Sequence, residues 1–172
     1  TITCNDIKAG EVWIASGQSN MWFPLADAIG GKEAAKKVND PDFRVLNMRP
    51  VNHVYGGWND SVRAMADDLR YFVPEKWETV TPANAGRLSA VAFWFGQRLR
   101  DSLNVPVGIV INSYGGATTE GWIDINTLEE YTPEALLNWR KNDYVQPWAQ
   151  GRANEESAAP HRHSFEPSYL FA

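Results

Sequence analysis

The sequence predicts an α/β protein in which helices cover both faces of a parallel sheet, so that the fold has three layers. Two short apolar runs, residues 11–16 and 107–112, have the composition of strands buried on both faces, and each ends in a turn that contains glycine. Between them, residues 89–104 repeat apolar side chains every three or four positions, which is the period of an amphipathic helix. Strands that alternate with helices pair in parallel, and the binding sites of such sheets lie beyond the carboxyl ends of the strands.

The first half of the chain begins with a β-α-β pattern. The strand at residues 11–16 is apolar at four of its six positions and stops at Gly17. Residues 31–38, which are rich in alanine and lysine, predict a short helix, and residues 43–47 predict a second strand. Residues 49–85 contain several prolines, a Gly-Gly pair and tryptophans without a period, so they predict mostly irregular structure. Long ordered loops of this kind often build sites.

The second half contains the clearest helix and a third strand. Ser89 precedes the apolar stripe of the helix, and Val105-Pro106 ends it after Asn104. The strand at residues 107–112 then leads into the glycine-rich turn 113–118.

Beyond that turn the signals are local. Thr132-Pro133-Glu134 offers an N-cap, a proline at the first helical position and an acidic residue in the first turn, which predicts a helix over residues 133–142. After Tyr144 the prolines and Gly151 predict loops.

Three predicted strands are few for an open sheet, because sheets average about five or six strands. A length of 172 residues fits one domain. We therefore expect residues 1–172 to form the N-terminal part of one domain, with the remainder of the domain in a following segment or in a second chain.

Composition excludes several classes of function. The chain is 44% hydrophobic and carries 16 basic against 21 acidic residues, a net charge of −5, which argues against a nucleic-acid partner. Cys4 is the only cysteine, so an intrachain disulfide framework is excluded. No apolar run approaches the roughly 20 residues that a membrane span needs, and the N-terminus has no signal-peptide pattern.

Ser19 is the predicted nucleophile. It lies in the run Gly17-Gln18-Ser19-Asn20-Met21, directly after a strand, where a tight turn lifts a hydroxyl out of the sheet. The run is not the Gly-x-Ser-x-Gly elbow, because Met21 replaces the second glycine. The alternative is that Ser19 is an ordinary turn residue.

Gly115-Gly116 is the predicted source of oxyanion donors. Acyl transfer needs N–H groups aimed at the developing oxyanion, and a glycine supplies one without a side chain in the way. The alternative is a Gly-Gly turn that only reverses the chain. Because both turns follow strands of one parallel sheet, they are expected to converge on one cleft.

These motifs resemble the sialate O-acetylesterases, carbohydrate esterases of the SGNH (GDSL-like) hydrolase superfamily. Three stretches carry the resemblance in family order, residues 11–21, 88–96 and 105–122, about a third of the chain. Gly-Gln-Ser-Asn-Met after a Val-Trp strand is fairly specific, and its combination with the Gly-Gly…Glu-x-Trp segment is strong. The resemblance implies a flavodoxin-like three-layer α/β/α fold, no metal or other cofactor, and hydrolysis of an O-acetyl ester on a sugar.

The resemblance also implies roles for single residues. Ser19 matches the nucleophile, whose own N–H is one oxyanion donor, and Gly116 matches the oxyanion glycine, with Gly115 the neighbouring candidate. Gln18 and Trp122 are expected to bind substrate near the pocket. The family's later blocks, a Trp-Tyr-Gln-Gly-Glu-like segment ending in an oxyanion Asn and an Asp-x-x-His segment, are not present. We expect them in a C-terminal remainder of the same protein, because a serine needs a general base.

The histidines of this chain do not offer that base by their sequence setting. His53 lies in the irregular region, His161 and His163 flank Arg162, and none has an aspartate three residues before it. We expect surface or loop histidines. The charged cluster of Arg152, Arg162, His161 and His163 is expected to be a solvated face, and the alternative is that it attracts an acidic sugar. No spacing suggests the converging ligands of a metal site.

The tryptophans divide into two groups. Trp13 and Trp94 are expected to pack in the core, on the apolar faces of a strand and a helix. Trp58, Trp77 and Trp148 lie in predicted loops, where local packing is favoured over a platform for a sugar ring.

The function predicted from these motifs and the resemblance is a serine esterase that removes O-acetyl groups from a carbohydrate. Sialic acid is the favoured substrate. The alternatives are an acetylxylan-type esterase with the same machinery, or a non-catalytic carbohydrate-binding or interaction domain on the same fold. Enzymes acting on glycans mostly meet them outside the cytosol, so a secreted, periplasmic or lysosomal setting is expected.

Overall fold

The computed structural model describes residues 3–51, 56–73 and 75–171. Their strands, in chain order, are β1 Glu11–Gly17, β2 Phe43–Asn47, β3 Arg49–Pro50, β4 Phe72–Val73, β5 Glu78–Thr79 and β6 Val107–Ser113. Their α-helices are α1 Ser19–Trp22, α2 Gly31–Lys37, α3 Asp60–Asp67, α4 Ala90–Leu103, α5 Ile125–Tyr131 and α6 Pro147–Glu156. The chain folds into two units, residues 1–49 with 74–115 and residues 50–73 with 116–172.

The first unit is built on a four-stranded sheet in the order β1-β6-β2-β5. The strand β6 is parallel to both β1 and β2, with Gly17 opposite Ser113 and Phe43 opposite Val107, while β5 runs antiparallel to β2. Along β6 every second side chain is buried, so one face of this strand points into the core. The α/β class, the three predicted strands and their parallel pairing are confirmed.

The helix α4 covers that face as the sequence predicts. Ser89 caps it, because its Oγ accepts a hydrogen bond from the N–H of Ala92, and Asn104 ends it in the left-handed conformation. Gly96 allows the close approach of helix and sheet, since a Cβ there would lie 2.5 Å from the Phe43 ring. Phe43 and Phe93 pack beside each other in this core, with ring centroids 5.9 Å apart.

The strand β1 differs from the prediction that it is buried on both faces. It lies at the edge of the sheet, and Val12 and Ile14 are 65% and 72% exposed. Trp13 and Trp94, predicted as core residues, are also close to half exposed, and Trp13 makes an edge-on contact with Phe95 at 5.2 Å. The prediction is wrong here because an apolar strand is buried only where the sheet continues and other layers cover it.

The second unit contains structure where irregular chain was predicted. Helix α3 lies within residues 49–85, and Asn59 begins it by accepting a hydrogen bond from the N–H of Val62 at 3.0 Å. Its short length and the scattered prolines and glycines around it hide its period in the sequence.

The remaining helices of the second unit also correct the prediction. Residues 133–142 form only a 3₁₀ turn, Pro133–Ala135, because Asn138 takes a positive φ of 50° and the Asn142 side-chain amide donates to carbonyl groups that a helix would use. Helix α5 precedes that turn. Helix α6 occupies the predicted loop after residue 144, because Pro147 lies at its start, where proline favours a helix.

Aromatic rings form the core of the second unit. Trp58, predicted to pack locally, is 3% exposed and stacks on Tyr71 at 5.0 Å. The hydroxyl of Tyr169 donates to the carbonyl of Ala66 at 2.8 Å, which joins the C-terminal tail to helix α3. Within the described residues, no helix is both long and apolar enough to cross a bilayer.

Candidate active site

The predicted nucleophile lies where a parallel strand ends. Gly17 closes β1 with a φ of 147°, which a residue with a side chain rarely adopts, and the chain then turns sharply into α1. The N–H of Trp22 donates to the carbonyl of Gln18 at 3.0 Å and fixes this turn. Ser19 and Gln18 are both exposed at its surface, so the Ser19 hydroxyl is open to a substrate.

Residues 113–115 of the second predicted turn lie beside the first turn within the same unit. β6 ends at Ser113, and the N–H of Tyr114 donates to the carbonyl of Gly17 at 2.9 Å. Gly115 packs under the ring of Trp22, since a Cβ on Gly115 would lie 3.2 Å from that ring. The structure therefore brings the serine turn and Gly115 together, as predicted from two strand ends of one sheet.

Gly116 opens the second unit and follows Gly115 directly. Its φ is 84°, so a left-handed backbone is required here. A Cβ on Gly116 would lie 2.9 Å from the Trp148 ring and 3.1 Å from the Phe165 ring. Both the conformation and the packing therefore demand glycine at this position.

Trp122 lies on a 3₁₀ helix, Glu120–Trp122, in the second unit and is partly buried. The C-terminal tail holds this segment, because the N–H groups of Ser168 and Leu170 donate to the carbonyls of Glu120 and Gly121 at 2.8 and 2.9 Å. The contact of Trp122 with substrate stays a prediction.

Sequence reasoning missed two residues that shape the site. Trp22 follows the nucleophile by three positions and covers Gly115. Asn112, the residue before the last of β6, has a buried side-chain oxygen with no hydrogen-bond partner among the described residues. Trp22 could have been noticed from its place within the turn, whereas the unpaired oxygen of Asn112 is visible only in the fold.

His163 corrects the prediction of surface histidines, because it is fully buried. Its Nδ1 accepts the N–H of Phe165 at 3.0 Å, so its proton lies on Nε2, which donates to Glu156 Oε2 at 3.0 Å. Trp58 stacks on the imidazole at 4.5 Å. Both ring nitrogens are therefore used inside the second unit, and this histidine has no nitrogen left to serve as a general base.

Burial lowers the pKa of His163 below its ordinary value of 6.5, although the nearby Glu156 carboxylate opposes this effect. The unfolded chain then binds a proton at higher pH than the folded protein does. The free energy of unfolding is expected to fall as the pH drops below about 6.5. Urea unfolding at about pH 7.5 and 5.5 tests this, and His163→Gln should reduce the difference between the two values. If the unfolding free energy of the variant changes between the two pH values as much as that of the wild type, His163 is not the group responsible.

His161 makes a contact that no sequence pattern indicated. Its Nδ1 lies 2.8 Å from Asp67 Oδ2, and the other oxygen of Asp67 accepts the N–H of Arg162. The hydrogen bonds from His161 and Arg162 hold the pKa of the Asp67 carboxyl below its usual value. A histidine held by a carboxylate is the arrangement of a general base. His161 and Asp67 both belong to the second unit, and because they are 94 residues apart in the sequence, no local motif shows this pair.

The other predicted groups have mixed outcomes. Arg152 and Arg162 are only partly exposed and pair with Glu156 and Glu166, at 2.8 and 2.9 Å. With His163 buried, the predicted solvated face is therefore only partly correct. His53 lies outside the described residues. Within the described ranges, no group of three or more metal-ligating side chains is close enough to hold a metal ion.

Comparison with known proteins gives consistent names. The chain is 30% identical to the sialate O-acetylesterase of Mus musculus over 94% of this chain, and 29% identical to that of Homo sapiens over 75% of it. Among solved structures it is similar to a carbohydrate acetylesterase from Xanthomonas citri, with 34% identity, a TM-score of 0.56 and 71% of this chain covered. No protein-family model matches the chain.

The length of these relatives is much greater than that of this chain. The aligned part spans 29% of the mouse protein, 24% of the human protein and 26% of the Xanthomonas chain. The chain therefore corresponds to less than a third of each relative.

Proposed function

We propose that this chain, which belongs to the sialate O-acetylesterase family of carbohydrate esterases, supplies the nucleophile and oxyanion donors of a serine esterase that removes O-acetyl groups from a carbohydrate. The observation that carries the proposal is the junction of the two turns at the ends of β1 and β6. There the carbonyl of Gly17, two residues before Ser19, accepts a hydrogen bond from the N–H of Tyr114, and Trp22 packs on Gly115.

The chemistry assigned to these groups is acyl transfer in two steps. The Ser19 oxygen attacks the acetyl carbonyl while a base takes its proton, and the N–H of Ser19 and of Gly116, with Gly115 as the neighbouring candidate, stabilise the oxyanion. The C–O bond to the sugar then breaks, and the sugar oxygen takes up the proton. Water hydrolyses the acetyl-serine by the same path and releases acetate. Gln18 and Trp122 are proposed to position the sugar.

We assign the general base to a remainder of the same protein. Two described features support this. The exposed apolar edge strand β1 has room for a further strand, and the buried oxygen of Asn112 has no donor among the described residues. A buried acceptor without a partner costs about 1–3 kcal/mol, which a donor from another segment would remove. In this proposal residues 1–172 are the N-terminal part of one esterase domain.

The sugar is left open between two candidates at this point. Sialic acid is the substrate in the names of the curated relatives, whereas the Xanthomonas relative is named only as a carbohydrate acetylesterase. An acetylxylan-type substrate needs no different chemistry at Ser19. A binding module without catalysis is the competing class. A secreted, periplasmic or lysosomal setting remains part of the proposal.

Covalent labelling of the complete protein tests the proposal directly. A fluorophosphonate, which reacts with activated serines, should label the peptide that contains Ser19 and block hydrolysis of p-nitrophenyl acetate. His161→Ala should remain reactive if the base lies in the remainder of the protein. Labelling at another serine would overturn the nucleophile, and loss of labelling in His161→Ala would assign the base to the His161–Asp67 pair instead.

A further inference from the structure

One face of helix α6 lines an open cleft in the second unit. Gly151 and Arg152 follow Trp148 by three and four residues, and Glu155 follows them by four and three, so these four residues share this face. The opposite face is buried through Ala149 and Ala153. The cleft has a volume of about 450 Å³, which is within the range of ligand sites, and Gly56 and Glu156 complete its lining.

Trp148 is exposed but held in one orientation. Its indole N–H donates to the side-chain oxygen of Gln146 at 2.7 Å, and its ring meets Phe165 edge-on at 5.8 Å. Even so, 51% of the residue faces solvent. A large apolar ring that is fixed yet uncovered offers a flat surface to a ligand without a further cost of ordering.

The cleft adjoins a residue of the proposed oxyanion turn. A Cβ on Gly116 would touch the Trp148 ring at 2.9 Å, so the ring lies directly against this glycine within the second unit. Gly151 and Gly56 have no atom within 4 Å of a Cβ position, which leaves the cleft open in front of the ring. A sugar stacked on Trp148 would therefore lie next to Gly116.

The charged side chains that line the cleft favour an uncharged sugar over an acidic one. Arg152 is paired with Glu156, whose Oε1 accepts from the arginine Nε at 2.8 Å, and Glu155 is exposed at the cleft. Burial raises the pKa of Glu156, but hydrogen bonds from His163 and Arg152 outweigh this effect and hold the pKa of its carboxyl below the usual value. With two negative groups against one positive group, a ligand carboxylate is disfavoured and sugar hydroxyls are suitable partners.

We propose that this cleft binds an uncharged pyranose ring of the acetylated glycan, stacked on Trp148, with hydroxyl groups bonded to Glu155 and Arg152. This inference rests on the proposed esterase function, because only that function makes Gly116 an oxyanion donor. It favours a neutral sugar over sialic acid as the substrate. Trp148 is thus a binding residue for the sugar and takes no part in the chemistry of the acetyl group.

Kinetics of the complete protein with two esters test this role. Trp148→Ala should lower kcat/KM for an acetylated neutral pyranoside, mainly through KM, and this loss should exceed any loss on p-nitrophenyl acetate by at least about tenfold. Trp148→Phe, which keeps an aromatic ring face, should lower kcat/KM for the acetylated pyranoside less than Trp148→Ala does. Tyr131→Ala, an exposed aromatic residue outside the cleft, is the matched control. Equal losses on both esters would mean that the ring only holds Gly116 in place and would overturn the proposal.

Binding separates this proposal from the esterase function. Calorimetry on the Ser19→Ala protein should detect an unacetylated neutral oligosaccharide, and Trp148→Ala or the surface variant Glu155→Ala should weaken it by about tenfold. Sialic acid should bind at least about tenfold more weakly than the neutral sugar. Stronger binding of sialic acid, or binding unaffected by either cleft variant, would overturn the neutral-ring site. If the wild-type protein hydrolyses no acetyl ester, the esterase function fails, and this binding result still decides the cleft.

Discussion

Replacing Ser19 with alanine in the complete protein is expected to lower kcat for p-nitrophenyl acetate by at least about 10⁴-fold, because removal of a nucleophilic serine removes the acyl-enzyme path. Ser19 lies exposed at the start of α1, directly after the strand end at Gly17. The substitution deletes one exposed hydroxyl and leaves the turn intact, so the melting temperature should not change. The loss should be equally large with an acetylated sugar.

The matched control for Ser19→Ala is Ser102→Ala, which removes an exposed hydroxyl from helix α4 of the same unit. Its activity should stay within about twofold of wild type. Equal rates in wild type and Ser19→Ala would reject the nucleophile. No hydrolysis by either protein would favour the binding module over the esterase.

The second large effect is expected from Gly116→Ala. Its φ of 84° costs an alanine roughly 1–2 kcal/mol, and the new methyl group meets the rings of Trp148 and Phe165. If its N–H binds the oxyanion, the displaced backbone should also lower kcat by about 10²-fold. Thermal unfolding and kcat for p-nitrophenyl acetate, measured on the same preparation, separate the two effects.

Alanine variants of two further glycines serve as controls for Gly116→Ala. Gly86→Ala introduces a methyl group at an ordinary 3.5 Å contact with Ala26 and should change neither stability nor kcat. Gly115→Ala meets the Trp22 ring at 3.2 Å without a positive φ, so a larger loss of kcat here than in Gly116→Ala would move the oxyanion donor to Gly115. A lower melting temperature with unchanged kcat in Gly116→Ala would leave that glycine a structural role only.

The strands and the two turns were predictable because their signals are local. The run at residues 11–17 and the run at 107–113 are apolar, and each stops at residues that favour a turn. Helix α4 was equally clear, since Ser89 caps it and its apolar stripe has a helical period. Pairing such strands in parallel then requires only the general rule for alternating strands and helices.

Helices α3, α5 and α6 were not predicted, because their short sequences carry competing signals. Pro147 was interpreted as a breaker although it lies at the first position of α6, and Thr132-Pro133 gave an N-terminal signal for a helix that Asn142 and Asn138 prevent. Over residues 133–142 the Asn142 side-chain amide donates to carbonyl groups that a continued helix would use, which no pattern of neighbouring residues shows.

The sequence by itself determined the α/β class, the serine turn with Ser19 and the Gly115-Gly116 turn, because each depends on a few consecutive residues. Only the tertiary structure decided that β1 lies at an edge, that His163 is buried against Glu156 and Trp58, and that Trp148 stands fixed and exposed beside Gly116. Burial and exposure depend on which distant segments pack on a side chain, and a sequence pattern records only its neighbours along the chain.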